Sequence, residues 1–290
     1  MERTTTPQFA AVASAEPIVG RPRLIPTDVG KLAVYDTGTP SSPGQAQVLV
    51  LWPAILTDHR IYNAQVAALH ERHRIILIDG PGHGASGPPT GNFSMAHCAQ
   101  AVVQVLDALE LRQPVVCIGT SWGGLVAGEF ALRHADRTRA VILFNTPLFK
   151  SNARWRDGFS TWGARWLKGT NVYVQGTAEA YFMPETRKRE AAFMDEFRRH
   201  IQGAGGVGLS QAARAVLLDR EELASRLHSI TAPTLFVAGT HDPMYRVEDL
   251  RRAAARLPRG QFVEVPTSHI SVVDAPEQTT LAIDSFLNGL

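Results

Sequence analysis

The chain is poor in cysteine. Its 290 residues hold two, Cys98 and Cys117. Both lie inside apolar stretches, where a thiol behaves as a small hydrophobe. No disulfide framework can be built from them, and buried free thiols suit a reducing compartment, so the cytoplasm is the expected location. Long hydrophobic runs are also missing: no window approaches the 18 apolar residues that a membrane span needs. Charge of one sign is lacking too. Lys and Arg number 29 against 27 Asp and Glu, a net charge of +2. Such a balance offers no broad basic surface for nucleic acid. Cys/His pairs at zinc spacing, Gly-rich phosphate loops, internal repeats and low-complexity tracts do not occur. These absences leave a soluble protein needing no metal or organic cofactor, with a small molecule as its partner, as a monomer or homodimer.

What is present is an alternation of strands and helices. Seven short runs rich in Val, Ile and Leu read as strands: Lys31–Tyr35, Gln47–Trp52, Arg74–Asp79, Pro114–Gly119, Ala140–Asn145, Thr234–Gly239 and Gln261–Pro266. Most are continuously apolar, as strands covered on both faces are. Helical spacing marks Ser94 to Leu111, with Ser94 as cap, Leu125 to Leu132, Val247 to Leu257 and Pro276 to Leu287. The alternation predicts an α/β fold around a mostly parallel sheet. Some eighty residues interrupt it without a convincing strand. They are rich in aromatics (Trp155, Trp162, Trp166, Tyr173, Tyr181, Phe182, Phe193, Phe197) and in basic residues (Arg154, Arg156, Arg165, Arg187, Lys188, Arg189, Arg198, Arg199). A structureless loop that long is disfavoured inside a compact domain. The reading is a helical cap over 148–230 on a core of 1–147 and 231–290, with 1–20 as a loose leader. The cap aromatics are read mainly as cap core and its basic residues as a solvated face.

The chemistry centres on Gly119-Thr-Ser121-Trp-Gly123. An apolar strand runs into this segment and a helical stretch follows it. A serine at a sharp strand-to-helix turn projects its hydroxyl, and small residues on either side let strand and helix pass closely. The helix N-terminus also favours a developing anion. A serine hydroxyl needs a base, and a histidine can take and return a proton near neutral pH. His269 follows the last strand directly. His83 and His241 are weaker rivals in loops after strands. His59, His70, His73, His97, His134, His200 and His228 read as ordinary solvated histidines. Asp242 follows the strand Thr234–Gly239 and can orient the histidine.

The order Ser121…Asp242…His269 resembles the triad of the α/β-hydrolase superfamily, and the likeness runs from about Arg23 to Leu290. Asp79-Gly-Pro-Gly-His-Gly-Ala-Ser86 is similar to that family's loop after its fourth strand. His269-x4-Asp274-x-Pro276 is similar to its closing histidine pattern. The resemblance implies an eight-stranded sheet with helices on both faces, a cap after strand 6, and hydrolysis of an ester or lactone through an acyl-enzyme on Ser121. The family's His-Gly after strand 3 is replaced by Pro53-Ala-Ile-Leu. Proline has no N–H to donate. Likeness to enol-lactonase-like members places one oxyanion donor at the N–H of Ile55, or at Ala54 one residue earlier. The other is the N–H of Trp122, whose side chain is read as pocket wall. Dehalogenases and epoxide hydrolases of this fold carry Asp-Trp-Gly at the elbow, so Ser121 points to acyl chemistry. Carbon–carbon bond hydrolysis, acyl transfer and non-catalytic ligand binding stay open as alternatives.

Overall fold

The computed structural model describes residues 19–42, 44–150, 171–203 and 207–290. The expected leader lies outside these but for Val19 and Gly20. So do Trp155, Trp162, Trp166, Arg154, Arg156 and Arg165. Eight strands form one sheet: β1 (Arg23–Thr27), β2 (Gly30–Asp36), β3 (Val48–Trp52), β4 (Arg74–Ile78), β5 (Val115–Thr120), β6 (Thr138–Phe144), β7 (Thr234–Gly239) and β8 (Gly260–Val265). Their spatial order is β1-β2-β4-β3-β5-β6-β7-β8. Only β2 runs against the rest. The predicted α/β architecture holds.

The central strands β3, β5 and β7 are buried at every position, as their uninterrupted apolar sequence requires. β1 was not predicted. It buries little besides Ile25 and contains Pro26, which an edge strand tolerates because one side of its ladder is unpaired.

Helices cover the sheet: α1 (Asn63–Leu69), α2 (Met95–Ala108) and α3 (Trp122–Arg133) early in the chain. Ser94 caps α2 as expected, its side chain accepting from the His97 N–H. α3 begins three residues before the predicted start. Between β6 and β7 the described residues form α4 (Asn171–Tyr181), α5 (Pro184–Arg189), α6 (Ala191–Gly203) and α7 (Val207–Ala213), then a π-helical turn, Arg214–Leu218. They contain no strand. α8 (Val247–Ala254), α9 (Ser271–Asp274) and α10 (Pro276–Asn288) complete the chain. No helix among the described residues is long and apolar enough to cross a membrane.

The elbow between β5 and α3 is the tightest point of the fold. A Cβ on Gly119 would lie 2.0 Å from the Gly123 backbone, and one on Gly123 would lie 1.8 Å from the Trp52 carbonyl oxygen. Backbone cannot move aside as a flexible side chain does. Gly123→Ala is therefore expected to destabilise the protein by at least ~2 kcal/mol. Chemical denaturation of the purified variant measures this; an unchanged midpoint would show that the elbow is loosely packed.

Candidate active site

Ser121 sits between β5 and α3 with φ 54° and ψ −107°. The left-handed region is costly for a residue with a Cβ. It is held there by its N–H, which donates to the Phe144 carbonyl on β6 (2.8 Å), and by its carbonyl, which accepts from the Leu125 N–H (3.1 Å). The turn brings the Ser121 Oγ to 2.8 Å from His269 Nε2. His269 Nδ1 lies 2.7 Å from Asp242 Oδ2. A carboxylate only accepts, so Nδ1 carries the hydrogen, and in a neutral imidazole Nε2 is then the acceptor facing the serine hydroxyl. All three side chains are buried. The structure thus brings together the three residues singled out in the sequence.

Asp242 is itself fixed. Its Oδ1 accepts from the Met244 N–H (2.8 Å), and its Oδ2 accepts from Asn145 Nδ2 (3.1 Å). Asn145, at the end of β6, also donates toward the Ser268 carbonyl (3.0 Å) and the Tyr245 hydroxyl (3.0 Å). Burial and the neighbouring Asp242 charge push the Tyr245 phenol well above its ordinary range, so it stays neutral beside the carboxylate. The sequence did not single out Asn145 or Tyr245. Only the position of Asn145 at a strand end could have pointed to it.

The histidine loop is tied to the helical insertion. The Ile270 N–H donates to the Tyr181 carbonyl (3.0 Å), and Ser268 Oγ donates to the Ala180 carbonyl (2.7 Å). The Asp274 carboxylate accepts from the N–H groups of Met183 (3.0 Å) and Ser268 (2.9 Å). The ring of Tyr181 packs 5.1 Å from that of His269, and its hydroxyl donates to the Ile55 carbonyl (3.2 Å).

The two backbone N–H groups named for an oxyanion, those of Trp122 and Ile55, give no hydrogen bond to any described residue. Ile55 lines the cavity above Ser121, whereas Ala54 does not. This cavity has a volume of about 420 Å³ and is lined also by His269, Tyr181, Leu148 and Met244. The Trp122 indole is not part of the wall, contrary to the sequence reading. It turns away from the cavity and packs against Trp52 (5.5 Å between ring centres), His83 (5.1 Å) and Phe93 (6.1 Å), filling space that Gly80 leaves open.

The remaining histidines separate clearly. His241 is exposed. His59 and His73, expected to be solvated, are buried. His59 donates through its backbone N–H (2.8 Å), and pairs through Nδ1 (3.0 Å), with Asp79 Oδ1. Asp79 thereby fastens the loop that carries Ile55 to the loop after β4, where its Oδ2 accepts from the Ala85 N–H (3.0 Å). His83 lies behind the site, its Nδ1 3.1 Å from the Pro81 carbonyl. Among the described residues, no three His, Cys, Asp or Glu side chains are grouped to hold a metal ion.

A serine elbow on a mostly parallel sheet, with a histidine and an aspartate delivered from the ends of later strands, defines a hydrolase-type scaffold. The chain belongs to the alpha/beta hydrolase fold family, whose model matches residues 47–276. It is 28% identical over 261 residues to 3-oxoadipate enol-lactonase 1 of Acinetobacter baylyi, covering 86% of this chain and 92% of that protein. Among solved structures it resembles an enol-lactonase from Burkholderia xenovorans (25% identity, TM-score 0.77, 89% of this chain and 96% of that one). A thermophilic esterase from Thermogutta terrifontis is also similar in fold (24% identity, TM-score 0.81, 93% and 99%).

The buried ring of His83 generates a pH prediction. Burial pushes its pKa from the ordinary 6.5 down to about 4. Between these values the unfolded chain binds a proton that the folded one refuses, so stability is lost as pH falls through this window. The loss is on the order of 3 kcal/mol. His83→Gln should shrink the difference in unfolding free energy between neutral pH and about pH 4 by a similar amount, measured by urea denaturation. An unaltered difference would mean that the ring ionises as freely as in the unfolded chain.

Proposed function

We propose that the protein is a serine hydrolase that cleaves a carboxylic ester or lactone through an acyl-enzyme on Ser121. The observation that carries this reading is the continuous hydrogen-bonded chain from Ser121 through His269 to Asp242 at the floor of the cavity. The names of the relatives, enol-lactonase and esterase, support it.

Ser121 Oγ attacks the carbonyl carbon while His269 Nε2 takes its proton. The negative charge on the tetrahedral oxygen falls between the N–H groups of Trp122 and Ile55, at the N-terminus of α3. The carbon–oxygen bond to the leaving group then breaks, and His269 returns the proton to that oxygen. Water, giving a proton to His269, next attacks the acyl carbon; the bond from that carbon to Ser121 Oγ then breaks, His269 returns the proton to Oγ, and the acid is freed. Asp242 holds the imidazole in the required tautomer and stabilises its charged form. In a lactone the leaving oxygen stays tethered to the product. No step calls for a metal or organic cofactor.

Residues 148–230 act in this reading as a cap domain on the core of 1–147 and 231–290. Leu148, Phe149, Lys150, Tyr181, Leu217 and Arg220 all line the cavity, so the insertion sets which acyl compound fits. The volume suits a small or medium substrate.

The test is release of p-nitrophenol from short and medium acyl esters, with fluorophosphonate labelling alongside. The wild type should turn over and label. Ser121→Ala should lose the label and at least ~10⁴-fold in kcat. Asp242→Asn should keep its fold and lose roughly 10³- to 10⁴-fold. Turnover surviving in Ser121→Ala would refute the mechanism.

A further inference from the structure

Ile55 stands in a strained turn. The Thr57 N–H donates to the Ala54 carbonyl at 3.2 Å, closing a turn over residues 54–57. Leu56 has a φ of 68°, whereas that of Ile55 is negative. A closed turn with negative φ at its second residue and positive φ at its third is of type II. Glycine ordinarily takes the third position, because a side chain is costly there. A leucine takes it here, so the turn has to be held from outside itself.

Two buried hydroxyls hold it, one on each side of Ile55. Thr57 Oγ1 donates to the Ala54 carbonyl (2.8 Å). The peptide joining Ala54 to Ile55 is trans. In a planar trans unit the N–H points opposite to the C=O, so the Ile55 N–H is turned out of the hairpin. The Tyr181 hydroxyl, from the end of α4, donates to the Ile55 carbonyl (3.2 Å). Returning Leu56 to negative φ would turn the 55–56 peptide over and carry that carbonyl off the hydroxyl. The bond from Tyr181 therefore opposes the relaxation that the leucine favours.

Tyr181 is itself fixed against the other half of the site. It is 4% exposed. Its carbonyl accepts from the Ile270 N–H, and its ring packs 5.1 Å from His269 and 6.0 Å from Phe197 on α6. One side chain thus sets Ile55 at a defined place relative to His269.

We infer that Tyr181 is a positioning residue: by holding the Ile55 carbonyl, its hydroxyl keeps the strained turn in the form that presents the Ile55 N–H to the oxyanion. This rests on the hydrolase reading above. The hydroxyl acts through Ile55 and exchanges no proton with the substrate. Its contribution is felt where charge develops on the carbonyl oxygen and not when the ester binds.

The experiment measures hydrolysis of p-nitrophenyl acetate and butyrate by the wild type, Tyr181→Phe and Thr57→Val. The phenylalanine keeps the ring against His269 and removes only the hydroxyl. Tyr181→Phe should lower kcat by about 10- to 100-fold and leave KM within about twofold. Thr57→Val should show the same split, and the double variant should lose less than the product of the single losses, because both act on one amide. The midpoint of the pH profile of kcat should stay where it is, since His269 keeps both its partners. An alkyl trifluoromethyl ketone gives a readout besides turnover. Ser121 Oγ bonds to its carbonyl carbon, the serine proton passes to His269, and the ketone oxygen becomes an oxyanion. Tyr181→Phe should weaken its inhibition about as much as it lowers kcat, while calorimetric binding of p-nitrophenyl butyrate to Ser121→Ala should not change when Tyr181→Phe is added. A kcat within twofold of wild type would overturn the inference. So would a loss lying in KM, which would mean that the hydroxyl binds the substrate, or a displaced pH midpoint, which would mean that it acts on His269. Each of these leaves the hydrolase standing. A wild type that neither turns over nor takes the fluorophosphonate label removes the hydrolase and this inference with it.

Discussion

The contact between the elbow and the end of β3 governs the geometry of the whole site. Gly123 rests on the Trp52 carbonyl, and its N–H donates to the Pro53 carbonyl at 3.1 Å. This close approach is open only to a residue without a Cβ. It sets the N-terminus of α3 beside the segment that leaves β3, so that the Trp122 and Ile55 amides belong to one neighbourhood. It also dictates where the Trp122 indole goes. With its backbone pinned at the mouth of the site, the ring enters the core behind it, among Trp52, His83 and Phe93. The same residue thus offers an amide in front and a packed ring behind.

Around this contact, three polar side chains, Asp79 and Asn145 buried and Asp274 half-buried, each join two segments. Asp79 links the segment after β3 to the turn after β4. Asn145 links the end of β6 to Asp242 and to the histidine loop. Asp274 links that loop to the start of α5. Each spends its hydrogen-bonding capacity on backbone groups or charged partners that would otherwise be left unsatisfied in the interior. The strained φ of Ser121, and that of Asn145 at 47°, is tolerated because neighbouring strands fix both residues from either side. Such a network resists the small displacements that degrade an aligned hydrogen-bond chain.

The sheet and the Ser121, Asp242 and His269 positions were legible because each lies where an apolar run stops, and strand ends are recognisable in a parallel sheet. β1 escaped notice because an edge strand with one buried residue and a proline has almost no pattern. His59 was misread as solvated because its partner, Asp79, lies twenty positions away in sequence and only the sheet order brings them together. Tyr181 and Arg220 were illegible for a different reason. Helical periodicity reports that a face is buried, but not against what, and both belong to a segment whose packing is set by the core beneath it. The Trp122 side chain was assigned to the wall since its backbone is there; the direction of the ring depends on the gap at Gly80.

The bonds that join Ala180, Tyr181 and Met183 to the loop of His269 have an evolutionary consequence. An insertion that only roofed a cavity could be lengthened, shortened or traded between relatives without disturbing the chemistry below. This one is hydrogen-bonded to Ser268 and Ile270, the two neighbours of His269, the proposed base. Under the proposed function, replacing it with a foreign insertion would therefore disturb the setting of His269 as well as the shape of the cavity, so selectivity and reactivity would change together.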